Sequence, residues 1–190
     1  MRSCALTQIV EAAEESTPHL FTVEEYLALD IPGRTELIEG VIYDVAAKNE
    51  PHILAVSRLT KALNRGMDEK YIVRGQDPIA VPGWTGKGDP EIDVVVVLDK
   101  TYGKRAIANE AFAFIEVSDT TYDADRKVKI PMCVRAGVPT WHVNIPKRHV
   151  EFYEAGEDPD GPSTRIFAET ETFEVLGVSI AAAILFEPAP

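Results

Sequence analysis

Apolar positions recur at two spacings along this chain, and the switches between them mark out its elements. In FTVEEYLAL, residues 21–29, Thr22 and Glu25 have capping-box spacing and Phe21 can staple onto Tyr26. The pattern predicts a helix from Val23 to near Pro32-Gly33. RTELIEGVIYDVA, beginning at Arg34, divides into two short β-type runs around Glu39-Gly40 and reads as a tight hairpin. After Pro51, the residues Ile53, Val56, Leu59, Leu63 and Met67 recur every three or four positions, predicting a helix with one apolar face that ends near Lys70. Tyr71 to Val73 and Ile79 to Val81 read as short strands, and PGWTGKGDP after them as a turn-rich loop. IDVVVVL (92–98) and AFAFIEV (111–117) have the composition of buried central strands. A helix is expected from Asp123 to Ala136, ended by Gly137 and kinked or split by Pro131. TWHVNI and HVEFY are strands joined by Pro146-Lys147-Arg148, and the last strands fall near 164–168 and 173–180. This order predicts an α/β fold, a central mixed sheet flanked by helices, over residues 21–190, with residues 1–20 as a tail.

Composition narrows the class. With 45% hydrophobic and 26% charged residues, the 190-residue chain can bury a core and is neither disordered nor fibrous. No stretch approaches the ~18–20 apolar residues of a membrane span. The N-terminal MRSCALTQIVEAAEES has the wrong order of charge and apolar residues for an export signal, so a cytoplasmic protein is expected. Cys4 and Cys133 are too few for a disulfide framework and lack zinc-ligand spacing; free thiols are expected. The net charge of -12 argues against avid nucleic-acid binding, but it lies at the ends. Residues 31–153 carry 17 basic and 17 acidic side chains and are neutral. Weak non-specific affinity for DNA follows.

The informative acids adjoin the two most buried strands. Asp93 precedes Val94-Val95-Val96-Val97, and Glu116 stands near the end of Ala111 to Val117. If these strands run antiparallel, both carboxylates meet at one edge of the sheet, where a cation must offset their repulsion. Hard oxygen donors in that arrangement suit Mg2+ or Mn2+. The plainer alternative is a pair of solvated strand-end residues. Asp125 and Lys129 stand i, i+4 on the following helix; a lysine delivered to the carboxylates would stabilise phosphoryl charge or orient and deprotonate a water. Its plainer reading is an exposed helix ion pair. GxSxG, GxxxxGK[ST] and a GxGxxG after a strand are absent, which removes serine-hydrolase and nucleotide-cradle readings.

The strings TELIEG, PEIDVVVV, FIEVSD, DRKVK with RAGVPTWHV, and KRHVEFY follow one another from about Phe21 onward. As a set they resemble the Uma-two restriction endonucleases, a branch of the PD-(D/E)XK nuclease superfamily. The resemblance implies a restriction-endonuclease-like core and metal-dependent hydrolysis of DNA, with Mg2+ or Mn2+ as cofactor. It places the metal-binding aspartate at Asp93 and the acid of the (D/E)xK element at Glu116. The Val117 carbonyl would be a further ligand. It also implies that Glu36 matches the family's first-helix or first-strand acid, binding a second ion or a metal-bound water, and that the lysine is displaced onto the next helix at Lys129. Ser118 occupies the usual lysine position. Lys127 is a rival, but on a regular helix it points about 200° away from Asp125. Ile92 replaces the usual proline, and Glu91 beside it is a second candidate ligand. The alternative function is a binding or scaffold protein that keeps the nuclease fold without turnover. A homodimer fits an enzyme that cuts both strands, although no segment marks an interface.

Other polar residues have two readings each. His52 either packs at the start of its helix or approaches the site, whereas His142 and His149 lack ligand spacing and read as structural. Lys100, Lys104 and Arg105 form a small basic cluster that either touches a phosphate backbone or is a solvated loop. Trp84 and Trp141 read as packing residues rather than base-stacking platforms.

Overall fold

In the computed structural model, residues 19–45, 47–78, 90–102, 110–156, 158 and 160–186 are described. The first element is the short helix α1 (Val23–Ala28), opened by the capping box in which Thr22 and Glu25 exchange side-chain bonds with each other's backbone N–H. It stops before Pro32, with Leu29 extended at its C-cap. Strands β1 (Thr35–Ile38) and β2 (Val41–Asp44) form the expected hairpin. Its turn needs positive φ at both Glu39 (51°) and Gly40 (83°). Gly40 is also hemmed in, since a Cβ there would lie 2.8 Å from Leu20 Cβ.

Helix α2 (Glu50–Gly66) starts at Asn49, whose side chain accepts from His52 N–H, and carries Pro51 in its first turn. It ends at Gly66 rather than near Lys70, because residues 68–70 fold into a turn in which Asp68 accepts from Lys70 and Tyr71. Its buried face is His52, Ala55, Leu59 and Leu63. Ile53, expected inside, is 45% exposed. The first turn of the helix thus turns a histidine inward where the pattern suggested an isoleucine.

Among the described residues a six-stranded sheet runs in the order β3-β4-β5-β6-β7-β8, the strands being β3 (Tyr71–Pro78), β4 (Glu91–Leu98), β5 (Ala111–Ser118), β6 (Thr140–Asn144), β7 (His149–Tyr153) and β8 (Arg165–Ala168). Every neighbouring pair is antiparallel except β5 and β6, so the sheet is mixed. β3 is one strand where two were expected; Ile79 to Val81, Trp84, Lys104, Arg105 and the tail to residue 18 lie outside the described residues. The final expected strand is a hairpin, β9 (Thr172–Val175) and β10 (Val178–Ala181), turning at Leu176 and Gly177, both at positive φ. A short helix α5 (Ala183–Phe186) follows.

The sheet is buried on both faces. Val94, Val96, Ala113, Ile115, Trp141 and Val143 pack with α2 and the β9–β10 hairpin. The alternate residues Val95, Val97 and Phe114 pack with Ile38 of β1 and with Met132 and Cys133. Cys133 is a free, buried thiol, as expected.

The connection between the parallel strands β5 and β6 is two helices, α3 (Tyr122–Lys127) and α4 (Lys129–Arg135), not one. Proline has no N–H to give the carbonyl four residues back, which here is Lys127, and its ring crowds that carbonyl. The first helix accordingly ends at Lys127, with Val128 between the two. Gly137, at φ 74°, ends the second as expected.

Candidate active site

The β4–β5 register pairs Val94 with Ile115, so one step further Asp93 faces Glu116 across the antiparallel ladder. Both stand in phase with Val95, Val97 and Phe114, and therefore project toward α4 and the β1–β2 hairpin. Glu36, two residues before Ile38 on β1, lies on the hairpin face that packs there. Glu36, Asp93 and Glu116 are 4%, 6% and 2% exposed and line one cleft. They are therefore not solvated strand ends. The cleft has a volume of about 70 Å³, room for a few waters but not for a nucleotide.

Two ammonium groups enter it. Lys129 Nζ lies 3.0 and 3.1 Å from the Glu36 oxygens, 3.0 Å from the Glu91 carbonyl and 3.7 Å from Glu116 Oε1. Burial alone would lower its amine, but Glu116, Glu36, Asp125 and Asp93 hold it well above the ordinary lysine value. Lys129 thus reaches the carboxylates from the first residue of a new helix, rather than through helical phase with Asp125. Lys127 is exposed and does not line the cleft. The Glu91 side chain turns away to Arg34 at 2.8 Å.

Lys48, from the loop before α2, lies 3.0 Å from Asp93 Oδ1. Asp93 Oδ2 accepts from His52 Nε2 at 3.0 Å and Val117 N–H at 3.1 Å. Burial would raise the Asp93 carboxyl, but His52 first, then Lys129 and Lys48, keep it below the ordinary range. His52 is therefore a site neighbour, not only a packing residue. Lys48 was not anticipated: it sits in a loop without periodicity, and its only sequence signal is its place just before the Asn49 cap that also presents His52.

Glu116 differs from Asp93. Its Oε1 is buried without a hydrogen-bond partner. Burial raises its carboxyl well above the ordinary value, against the pull of Lys129 and with the help of Asp93, Asp125 and Glu36. Glu36 is raised too, again by burial, with Lys129 opposing.

The Ser118 hydroxyl donates to Asp125 Oδ2 at 2.6 Å, where Thr121 Oγ1 also donates at 2.5 Å. Ser118 has one hydroxyl proton, so His142 Nε2, 2.6 Å away, must donate to Ser118 Oγ. Burial lowers the His142 pKa to about 4, consistent with a neutral ring whose proton is on Nε2. Nδ1 is then a bare acceptor 3.8 Å from Glu151 Oε2, and it has no hydrogen-bond partner. The register continues the polar row: Glu116 pairs with His142, and His142 with Glu151. Glu151 is satisfied by Tyr122, Tyr153 and His149. His142 and His149 thus contact Ser118 and Glu151, and neither lines the cleft. Trp141 packs on Phe152 in the core, and Lys100 pairs with Glu110.

Among the described residues no three His, Cys, Asp or Glu side chains are gathered as a ready-made metal cluster. Two carboxylates with waters are the usual protein complement of Mg2+, which rarely occupies an all-protein cage. The buried Glu116 Oε1, opposite Asp93, has only the Lys129 ammonium at 3.7 Å and no hydrogen bond, which fits such a cation, and so does the excess of acids lining the cleft. No described helix is long and apolar enough to cross a membrane.

Comparison with known proteins bears on the fold and the family. No curated protein matches the chain. The crystal structure of "a putative nuclease belonging to DUF820" from Anabaena variabilis matches with a TM-score of 0.67 and 17% identity, covering 87% of this chain and 97% of that one. At that identity the likeness concerns the fold, which is of the restriction-endonuclease-like type. The family model described as "Putative restriction endonuclease" matches residues 23–183, nearly the whole of the described structure, and the chain belongs to that family, Uma2.

Proposed function

We propose that this protein is a Mg2+- or Mn2+-dependent endonuclease that hydrolyses DNA phosphodiester bonds. The observation that carries the reading is the convergence of Asp93, Glu116 and Lys129 in one cleft at the end of the sheet. Asp93 and Glu116, with the Val117 carbonyl, are the residues that would hold the ion; when bound, it supplies charge to offset the attacking and leaving oxygens.

The other roles belong to the chain. His52 and the Val117 N–H fix one oxygen of Asp93, which sets the carboxylate plane. Lys129 is protonated at neutral pH, so it donates to a water or a phosphoryl oxygen rather than taking the water's proton. Glu36 anchors that ammonium from the far side and would orient a water or a second ion. Ser118 does not replace the missing lysine chemically; it ties Asp125 to β6 while Lys129 supplies the charge. Because the cleft is small, the duplex must lie across its mouth. Its backbone would meet a surface of balanced charge, in keeping with weak non-specific affinity.

Plasmid nicking with Mg2+ or Mn2+ tests this. Asp93→Ala should abolish nicking and leave the fold intact. Full activity in that variant, with contaminating nuclease excluded, rejects the assignment, and a wild-type protein that neither binds Mn2+ nor cuts is the scaffold instead.

A further inference from the structure

The two oxygens of Asp93 are not equivalent. Oδ2 is held by two buried donors, His52 Nε2 and Val117 N–H, that belong to a helix and a strand. Oδ1 is held by Lys48 alone among the described residues. That lysine differs from Lys129, which is fixed by two carboxylates and a carbonyl. Among the described residues, its ammonium meets the Asp93 carboxylate alone. Its side chain is 16% exposed, twice the 8% of the carboxylate it touches, so it approaches from the mouth of the cleft.

The backbone beside it is pinned. Asn49 caps α2 by accepting from His52 N–H and donates to Asp119. The four-carbon stem of Lys48 can therefore swing without moving the elements that carry the site.

On the proposed nuclease reading, an ion shared by Asp93 and Glu116 needs an oxygen of Asp93, and Oδ1 is the one not committed to the scaffold. Two cations cannot share that oxygen at bonding distance without strong repulsion. The displaced ammonium then lies at the entrance, where the small cleft obliges a phosphodiester to sit. The geometry points to Lys48 as a phosphate-binding residue that, in the free protein, holds the metal's place on Asp93 and passes to the substrate backbone when the ion enters.

Two measurements on the full chain test this. Mn2+ binding without DNA, followed by loss of the free-ion electron paramagnetic resonance signal, should tighten by about tenfold in Lys48→Met, since no charge-assisted bond has to be broken. DNA binding in Ca2+, followed by fluorescence anisotropy, should weaken in the same variant. Its dependence of log affinity on log salt should lose about one phosphate contact. Lys48→Arg keeps the charge and should retain the wild-type salt slope. Thermal melting confirms that each variant is folded, and Lys48→Gln replaces the methionine variant if that one is not.

Unchanged or weaker Mn2+ affinity in the uncharged variant, or an unchanged salt slope, overturns the proposal. Asp93→Asn separates this from failure of the underlying reading. If Asp93→Asn loses Mn2+ while Lys48→Met behaves as wild type, only the role of Lys48 falls. If Asp93→Asn binds Mn2+ as tightly as wild type, the metal assignment falls and this proposal with it.

Discussion

Lys129→Met removes the ammonium while keeping a chain of similar length in a position 12% exposed. It deprives Glu36 of two contacts near 3 Å and Glu116 of its nearest cation, leaving two buried carboxylates facing each other and Asp93. Removing one partner of a buried ion pair costs about 3–5 kcal/mol. For a domain of this length each kcal/mol lowers the melting temperature by about 2–4 °C, so a fall of roughly 6–20 °C is expected at pH 8. The penalty must depend on pH. Glu36 and Glu116 already have raised folded-state values, and without the lysine both rise further. At these two carboxyls the folded variant then holds more protons than the unfolded chain at any pH between the ordinary carboxylate value of 4.5 and those raised values, and the other shifted groups are common to both proteins. Stability therefore falls as pH rises through that window, and the gap between wild type and variant narrows toward pH 5. Urea unfolding followed by tryptophan fluorescence at pH 5, 6.5 and 8 measures this. Adding Glu36→Gln to Lys129→Met should recover part of the loss at pH 8. A loss below about 1 kcal/mol at pH 8, or one equal at pH 5 and pH 8, would refute the account of the lysine as the cleft's internal counter-ion.

Two further outcomes follow from the same site. Glu116 should make the metal-free wild-type protein lose stability as pH rises from 4.5 toward its raised value, because the unfolded chain binds fewer protons at that site, while His142, lowered to about 4, acts in the opposite sense up to 6.5; the fall shows as the difference from Glu116→Gln. The slope is at most about 1.4 kcal/mol per pH unit per group, and saturating Mn2+ should flatten it in a pH series of urea melts. Ser118→Ala removes a buried donor to Asp125 and strands the His142 Nε2–H, which should cost about 1–3 kcal/mol, read as a lower urea midpoint at unchanged slope.

Much of the fold could be read from the chain because its signals are local. β-branched runs mark β4, the Glu39-Gly40 pair marks the hairpin turn, and the Thr22–Glu25 spacing marks the start of α1. The convergence of Asp93 and Glu116 was legible for the same reason: it needs only two buried strands and their antiparallel sense. The rest depended on contacts that leave no local pattern. Lys48 and Asp93 are 45 positions apart, and a loop lysine carries no periodicity to show where its chain points. Ile53 misled because a helix whose first turn borders a polar cleft turns His52 inward at that end, shifting the buried face from the one the apolar spacing suggests. The last segment reads as one continuous strand in sequence because Leu176-Gly177 lacks the asparagine or aspartate that usually announces such a turn.

The break at Val128 has a consequence for how this site can vary. Where an amine rides on one unbroken helix with its neighbouring acid, inserting a residue between them rotates one away from the other by about 100°. Here the amine opens a separate segment, seated by the burial of Ile130, Pro131, Met132, Cys133 and Val134. Lengthening or shortening the segment before the break would move Asp125 yet leave the ammonium aimed at Glu36.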